Sequence, residues 1–216
     1  MLKVGLTGAI GSGKSTVGKM LAALGAHFAQ ADAMARELMR PGQKVFDEVV
    51  RSFGRGILSS DGALIGQIDR KKLADAAFGT PEHPGSRVLE LNAIVHPAVG
   101  RAQEEWMADT GNADPEGVVV VEAALIFEAG LEGQFDRMVV VTCPYEERVR
   151  RWMERNGVDE AAARAELERR MAAQWPEERK IARADFVVDN SGRADGTEAL
   201  VRELYSRLKL EVGGRA

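Results

Sequence analysis

The sequence has 216 residues, of which 45% are apolar and 29% are charged, so it has the composition of a globular protein with one well-buried domain and room for an inserted subdomain. Its 29 basic and 33 acidic residues give a formal net charge of −4. This balance argues against a dedicated nucleic-acid-binding protein, which usually carries a basic excess or stripe, but it does not exclude a small anionic ligand, whose site needs only a few cations.

The first predicted elements are a strand, a loop and a helix. Val4 to Leu6 is a short apolar segment that runs directly into the glycine-rich stretch from Gly8 to Gly13. Gly25 marks the end of the following helix, as glycine often does just past a helix C-terminus. The helix is indicated by apolar residues at i, i+3, i+4 and i+7, which are Val17, Met20, Leu21 and Leu24.

The next segment predicts a weak strand and then helices. Ala26 to Ala29 is the strand candidate, and a helix from Ala33 to Met39 follows, with Asp32 at the N-cap position. Beyond it, residues 45–110 have a helical pattern with breaks and no convincing strand. The expected features are a turn at Asp61-Gly62, a helix capped by Asp69 and running through Phe78, a loop from Thr80 to Gly85, and a helix with Val88, Leu91 and Val95 that ends near His96-Pro97.

Three short apolar runs in the second half predict strands buried on both faces, at Val118 to Val121, Met138 to Val141 and Phe186 to Val188. Between and after them lie helical patterns around Tyr145 to Met153, an exposed charged stretch from Asp159 to Gln174, and an amphipathic helix over Leu200 to Leu208. Strands that alternate with helices favour a parallel α/β sheet. We therefore expect a core of residues 1–32, 118–144 and 181–216, with helical insertions at 33–117 and 145–180.

The sequence also indicates in which cellular compartment the protein is expected. A single cysteine, Cys143, forms no internal disulfide, which suits a reducing environment. Met1 to Leu6 is too short for a secretory signal, and no window approaches the roughly 18 to 20 uninterrupted apolar residues of a membrane span. We therefore expect a cytoplasmic protein with no membrane or nucleic-acid partner.

One motif carries most of the functional information. Gly8-Ala9-Ile10-Gly11-Ser12-Gly13-Lys14-Ser15 fits the phosphate-loop pattern G-x-x-x-x-G-K-S/T without a mismatch. Its glycines let backbone N–H groups approach phosphate oxygens, and the helix that follows presents its positive dipole end to them. Lys14 is expected to reach the β and γ phosphates of a nucleotide, and the Ser15 hydroxyl to ligate Mg²⁺.

Two acidic residues follow predicted strands at the same edge of the sheet. Glu122 ends the Val118 to Val121 strand, where P-loop proteins place an acidic residue that helps to hold Mg²⁺, although a strand-end glutamate is often simply solvated. Asp32 follows the second strand and is the best-placed base for an acceptor hydroxyl. The cap of the next helix is an equally good interpretation of Asp32 from position alone.

The class of P-loop protein is narrowed by what surrounds the loop. There is no N-K-x-D guanine motif, and a compact chain with two helical insertions is typical of a small-molecule kinase, whose insertions bind the acceptor and close over ATP to exclude water. A kinase for a nucleoside, a nucleotide or a small polyol remains an alternative. So does a module that binds ATP as a signal without turning it over, although the presence of both Lys14 and Asp32 argues against it.

A longer set of residues, spread in order along the chain, carries a family resemblance. It consists of Gly5 to Thr16, Ala31-Asp32, Ala35-Arg36, Pro41-Gly42, Asp69-Arg70, Leu73, Phe78, Leu91 to Ile94, His96-Pro97, Leu125 to Glu128, Arg151, Arg155, Gln174, Ala184-Asp185 and Asp189 to Gly192. Taken together, these residues resemble the dephospho-CoA kinase family over roughly residues 3–208. One departure is Ala124-Leu125-Ile126, where many members have Pro-Leu-Leu, which affects loop stiffness more than chemistry.

The resemblance implies a P-loop NTPase fold with a five-stranded parallel sheet, in which residues 33–117 form a CoA-binding domain and residues 145–180 a lid. It implies transfer of the ATP γ-phosphoryl group, with Mg²⁺, to the ribose 3′-hydroxyl of dephospho-CoA, with Asp32 as the base. The protein is then expected to be a monomer or a weak homo-oligomer whose partner is a small-molecule substrate.

The resemblance also assigns residues to the site. Arg151 and Arg155 are one helical turn apart and are candidates to face the phosphates, although a solvated charged face is the usual interpretation of an arginine-rich segment. Arg36 and His96 are candidates for the acceptor side; His96 also fits a helix end or a packing position. The nucleotide-binding residues are expected to be Gly8, Ala9, Ile10, Gly11, Ser12, Gly13, Lys14, Ser15, Thr16 and Asn190.

Overall fold

The computed structural model describes residues 1–79 and 86–214. Within them the strands are β1 (Leu2–Gly8), β2 (His27–Gln30), β3 (Val118–Glu122), β4 (Arg137–Thr142) and β5 (Phe186–Asp189). The α-helices are α1 (Lys14–Ala23), α2 (Ala31–Leu38), α3 (Lys44–Phe53), α4 (Arg70–Phe78), α5 (Val88–Ala113), α6 (Tyr145–Asn156), α7 (Glu160–Met171), α8 (Glu177–Ile181) and α9 (Ala194–Gly213). The loop predicted from Thr80 to Gly85 lies outside the described residues.

The five strands form one parallel sheet in the order β2-β3-β1-β4-β5. Because all strands run the same way, their carboxyl ends lie at one edge, with β1 in the centre. The register places Leu6 beside Glu122 and Glu122 beside Gln30. The predicted parallel α/β fold is therefore confirmed, and the loop after β1 lies at a switch in strand order, where such sheets bind ligands.

Strand burial differs between the centre and the edge of the sheet. The valines of β3 and the segment from Met138 to Val141 in β4 are buried, as the sequence predicts. In β5, however, Val188 packs into the core whereas Val187 is 47% exposed, so the prediction of burial on both faces is wrong there. The reason is that β5 is an edge strand, and successive side chains of a strand point to opposite faces.

The chain divides into two compact units, Met1–Gln30 with Met107–Ala216, and Ala31–Trp106. The first unit has a core made of the sheet and of the inward faces of α1 and α9, including Leu6, Val17, Leu21, Val201 and Leu208. The second has its own small core of Val45, Val49, Ile57, Leu73, Val95 and Ala98. The division into a nucleotide core, a CoA-binding domain and a lid stays a prediction.

Two helix boundaries in the second unit differ from the sequence prediction. Helix α2 begins at Ala31, so Asp32 lies in its first turn and is not its N-cap. Helix α5 continues through Pro97, where an end was predicted. A proline inside a helix forfeits one backbone hydrogen bond, but Val95 and Ala98 on either side are buried in the core, and this packing offsets the loss.

Other helix predictions agree with the structure. Asp69 caps α4 as expected, because its Oδ1 accepts hydrogen bonds from the backbone N–H of Lys71 (2.9 Å) and of Lys72 (3.1 Å). The charged stretch from Asp159 forms α7 and is largely exposed, although Ala163 and Leu167 are buried. Over the part of the chain that the structure describes, none of the helices combines the length and the apolar character needed to cross a membrane.

Candidate active site

The loop between β1 and α1 has the backbone of a phosphate cradle. Helix α1 begins at Lys14, and Gly13 before it has a φ of 89°, which disfavours any residue with a side chain. A Cβ at Gly13 would lie 2.0 Å from Nδ2 of Asn190, and one at Gly8 would lie 2.2 Å from the carbonyl oxygen of Val141. Glycine is therefore required at both positions for steric reasons.

The cradle is electropositive. Lys14 is 7% exposed, and its Nζ donates hydrogen bonds to the carbonyl oxygens of Gly8 (3.1 Å) and Ala9 (3.0 Å). Its ammonium group is thereby held over the loop. The Ser12 hydroxyl is buried and has no hydrogen-bond partner among the described residues. Backbone donors, a helix N-terminus and a fixed cation together fit an oligophosphate.

Oxygen ligands suitable for Mg²⁺ lie beside the cradle. The Ser15 hydroxyl donates to Oε1 of Glu122 (2.9 Å), and the Gln30 amide donates to Oε2 of the same carboxylate (2.5 Å). The predicted metal residues Ser15 and Glu122 are thus brought together. The described residues contain no group of three or more His, Cys, Asp or Glu side chains arranged for a metal. One hydroxyl and one carboxylate suit Mg²⁺, which takes few protein ligands and keeps waters and phosphate oxygens.

The two arginines of α6 predicted to face the phosphates, Arg151 and Arg155, have different environments. Arg151 reaches the cradle: its Nη2 donates to the carbonyl oxygen of Asn190 (2.8 Å) and its Nε to Oε1 of Glu147 (2.8 Å). Hydrogen bonds from Arg150 and then from Arg151 lower the pKa of Glu147 to about 2, so this carboxylate stays ionised. Arg155 is exposed instead, with its guanidinium 4.7 Å from the centre of the Trp152 ring.

Sequence reasoning missed Arg148. It is 6% exposed, and its stem packs against the phosphate loop, since a Cβ at Gly11 would lie 3.2 Å from Cβ of Arg148. Its Nε has no hydrogen-bond partner in the described part of the chain. The available signal was its spacing of three residues from Arg151, which places both on one helix face.

A partly buried polar network also supports the loop. Oε1 of Gln174 accepts a hydrogen bond from the backbone N–H of Ile10 (3.1 Å), and its Nε2 donates to the carbonyl oxygen of Ala124 (3.3 Å). Lys180 is fully buried; its Nζ also donates to the Ala124 carbonyl (3.3 Å) and pairs with Oε1 of Glu128 (2.8 Å). The segment after β3 is thereby tied to the first turn of the phosphate loop.

Comparison with known proteins identifies the family. A family model described as dephospho-CoA kinase matches residues 2–195. A protein of Corynebacterium diphtheriae named dephospho-CoA kinase is 42% identical over 209 residues, which cover 97% of this chain and 98% of that protein. The chain belongs to the dephospho-CoA kinase family. The enzyme class is therefore a kinase that transfers a phosphoryl group to an alcohol, and the family catalyses the last step of coenzyme A biosynthesis.

Solved structures agree with the fold. A protein structure from Thermus thermophilus matches with a TM-score of 0.75 at 34% identity, covering 96% of this chain and 97% of that one. A dephospho-CoA kinase from Campylobacter jejuni matches with a TM-score of 0.60 at 22% identity, covering 95% and 96%; this second likeness supports the fold alone.

The acceptor residues expected of a dephospho-CoA kinase lie in the second unit. Asp32 and Arg36 are exposed on successive turns of α2, and Nε of Arg36 donates to the backbone carbonyl of Asp32 (3.0 Å) rather than to its carboxylate. No hydrogen bond to the Asp32 carboxylate occurs in residues 1–79 and 86–214. His96 is exposed inside α5 and not at its end, so the helix-end interpretation of His96 is wrong.

The buried pair of Lys180 and Glu128 predicts a large effect on stability. We expect Lys180→Met to lower the free energy of unfolding by about 3 kcal/mol, because it leaves the Glu128 carboxylate, which is 11% exposed, without its cation. Urea denaturation measures this value. The matched control is Arg207→Met, which removes an ion pair with Glu203 whose side chains are both 60% exposed and should cost less than about 1 kcal/mol. Equal losses in the two variants would contradict the prediction.

Proposed function

We propose that this protein transfers the γ-phosphoryl group of ATP to the ribose 3′-hydroxyl of dephospho-CoA, giving coenzyme A and ADP. The observation that carries the proposal is the family match over residues 2–195 in a chain whose phosphate loop is intact and whose Lys14 is held over that loop. The products balance because the hydroxyl oxygen gains the phosphoryl group, its proton passes to a base, and ADP leaves.

The nucleotide is proposed to bind at the loop from Gly8 to Thr16. Backbone N–H groups and the start of α1 take the phosphate oxygens, and Lys14 neutralises the β and γ phosphates. Mg²⁺ is proposed to be held by Ser15 and Glu122, whose oxygens lie together at the start of α1. When bound, Mg²⁺ neutralises charge on the β and γ phosphates.

The acceptor is proposed to bind through the insertion 33–117, with Arg36 and His96 as contacts. Asp32 is proposed to orient the 3′-hydroxyl and to accept its proton. The role proposed for Asp32 is supported by the resemblance and by its position two residues after the end of β2. The last residue of β2, Gln30, donates a hydrogen bond to Glu122. Because Asp32 is exposed, its carboxylate is accessible to a substrate.

Asn190 is proposed to belong to the nucleotide site through the loop it touches, since its Nδ2 donates to the Ser12 carbonyl (2.8 Å). A direct contact with adenine stays a prediction, to be checked by a structure with bound ATP. The lid role of residues 145–180, the cytoplasmic location and a monomeric or weakly oligomeric state also stay predictions. Light scattering of the purified chain measures the oligomeric state.

The two predicted phosphate-facing arginines should behave differently. We expect Arg151→Gln to lower kcat/KM for ATP by about 10- to 100-fold, the equivalent of one or two charge-assisted hydrogen bonds. Arg155→Gln should lower it by less than about fivefold, because it removes a cation–π contact at an exposed site. Steady-state rates with ATP varied at saturating acceptor decide the matter. Equal losses, or a larger loss for Arg155→Gln, would refute the assignment.

The function itself is tested by ADP release from Mg-ATP with and without dephospho-CoA, beside a panel of nucleosides, nucleoside monophosphates and small polyols. We expect strong stimulation by dephospho-CoA and loss of turnover when EDTA removes the metal. If another acceptor stimulates and dephospho-CoA does not, the substrate is wrong although the fold stands. If the protein binds ATP and no acceptor stimulates turnover, the chain is a nucleotide-sensing module.

A further inference from the structure

A chain of buried hydrogen bonds connects α9 to the phosphate loop. The Thr197 hydroxyl donates to Oδ1 of Asn190 (2.9 Å), and Nδ2 of Asn190 donates to the carbonyl oxygen of Ser12 (2.8 Å). Thr197 is 2% exposed and Asn190 is 7% exposed. The chain ends on the backbone of the loop whose carbonyl oxygens accept hydrogen bonds from Lys14.

The direction of these hydrogen bonds is fixed by chemistry. The Ser12 carbonyl only accepts, so Asn190 must present its NH₂ group to it and its oxygen to Thr197. The Thr197 hydroxyl then donates. Without that hydroxyl, Oδ1 of Asn190 would be buried with no donor, which costs free energy in this orientation. The Thr197 hydroxyl therefore stabilises the amide orientation that the Ser12 carbonyl requires.

The hydrogen bond to the Ser12 carbonyl also sets the direction of the Gly13 N–H, because both groups belong to the same peptide. In a trans peptide the C=O and the next N–H point in opposite directions. A hydrogen bond that holds the Ser12 carbonyl towards Asn190 therefore turns the Gly13 N–H the other way, away from Asn190. There is no room for a Cβ at Gly13, because it would clash with the Asn190 amide. Inward-facing N–H groups are what a phosphate loop offers to its ligand.

Asn190, which lies in the turn between β5 and α9, also contacts α6. The backbone carbonyl of Asn190 accepts the hydrogen bond from Nη2 of Arg151 (2.8 Å), and its N–H donates to the Thr142 carbonyl at the end of β4 (2.9 Å). The backbone N–H and carbonyl of Asn190 are thus both held by hydrogen bonds, and its side-chain amide is held between Ser12 and Thr197.

We propose that Thr197 is a positioning residue for ATP binding: through Asn190 it fixes the peptide between Ser12 and Gly13 in the orientation that receives the phosphates. This rests on the proposed binding of ATP at the loop. Thr197 itself is not proposed to touch a substrate, and its effect should be confined to nucleotide binding.

The test compares Thr197→Val, which keeps the shape and removes the hydroxyl, with Thr197→Ser, which keeps the hydroxyl and removes the methyl group. We expect Thr197→Val to raise the Kd of Mg-ADP in calorimetry by about tenfold, the scale of one buried polar group left unpaired. Amide hydrogen exchange at residues 8–16 of the ligand-free protein should increase in the same variant. Thr197→Ser should match the wild type within about twofold in both measurements, and the KM for dephospho-CoA should not change.

A double-mutant cycle separates positioning from general destabilisation. If Thr197 acts through Asn190, adding Thr197→Val to Asn190→Ala should not weaken Mg-ADP binding further. An unchanged Kd in Thr197→Val overturns the proposal. So does an equal loss in Thr197→Ser, or an additive loss in the double variant, because either would mean that packing and not the hydroxyl is responsible. Failure of the wild type to bind Mg-ADP would instead remove the proposed function.

Discussion

Asp32→Asn is expected to lower kcat by about a hundredfold or more, the scale of a lost general base. The asparagine has nearly the same shape and still accepts a hydrogen bond from an acceptor hydroxyl, but it takes up no proton. The KM for ATP should stay within about twofold of the wild type, because the proposed nucleotide ligands lie elsewhere in the sequence. Since Asp32 is exposed in the first turn of α2, the fold should tolerate the change.

The measurement is steady-state turnover with dephospho-CoA and ATP varied in turn, together with a melting temperature for each protein. Asp47→Asn is a matched control, because Asp47 is also an exposed acidic residue in the first turn of a helix, α3. It should leave kcat unchanged. If Asp32→Asn retains kcat within about fivefold, Asp32 is not the base, and its remaining role is at the start of its helix.

Much of the first unit was predictable because its signals are local. The valine runs of β3 and β4 are too short for helices and too apolar for exposed strands, so they predict central strands of a parallel sheet. The phosphate loop is equally local, since its backbone conformation depends on glycines at Gly8 and Gly13. The proximity of Ser15 and Glu122 followed from one topological fact, that parallel strands end at the same edge of the sheet.

Two predictions from local sequence were wrong because tertiary packing and strand order outweighed the local signal. Proline predicts a helix end, yet α5 passes through Pro97 because buried neighbours on both sides compensate for the lost hydrogen bond. Apolar composition predicts burial on both faces, yet Val187 is exposed because strand order, which the sequence does not reveal, places β5 at an edge.

Within the site, the contacts that sequence reasoning could not find join residues far apart in the chain. Gln174 meets Ile10 across 164 positions, and Asn190 meets Ser12 across 178. No local pattern encodes such pairs. The arginines of α6 illustrate the same limit: helical spacing groups them by face, but only packing shows that Arg151 and Arg148 lie against the loop whereas Arg155 stacks on Trp152.

Lys14→Met is expected to lower kcat by about 10²- to 10³-fold, the loss seen when a preorganised donor to developing charge is removed. The Lys14 ammonium group is the fixed cation of the loop. Methionine carries no positive charge, so it would not stabilise the negative charge on the transferred phosphoryl group and on the leaving oxygen. Methionine retains most of the length of the lysine stem, which is buried at the start of α1, so packing should change little.

The control is Lys19→Met, an exposed lysine of the same helix, which removes the same charge from the protein without touching the loop and should leave kcat within about twofold. Rates at saturating Mg-ATP and dephospho-CoA, with Mg-ADP affinity from calorimetry, separate catalysis from binding. A fall in affinity with kcat preserved would mean that Lys14 stabilises the bound nucleotide and the transition state equally. If kcat and affinity both stay near those of the wild type, the charge is neutralised by another group. Arg148 and Arg151, the two arginines against the loop, would then be the first residues to replace together.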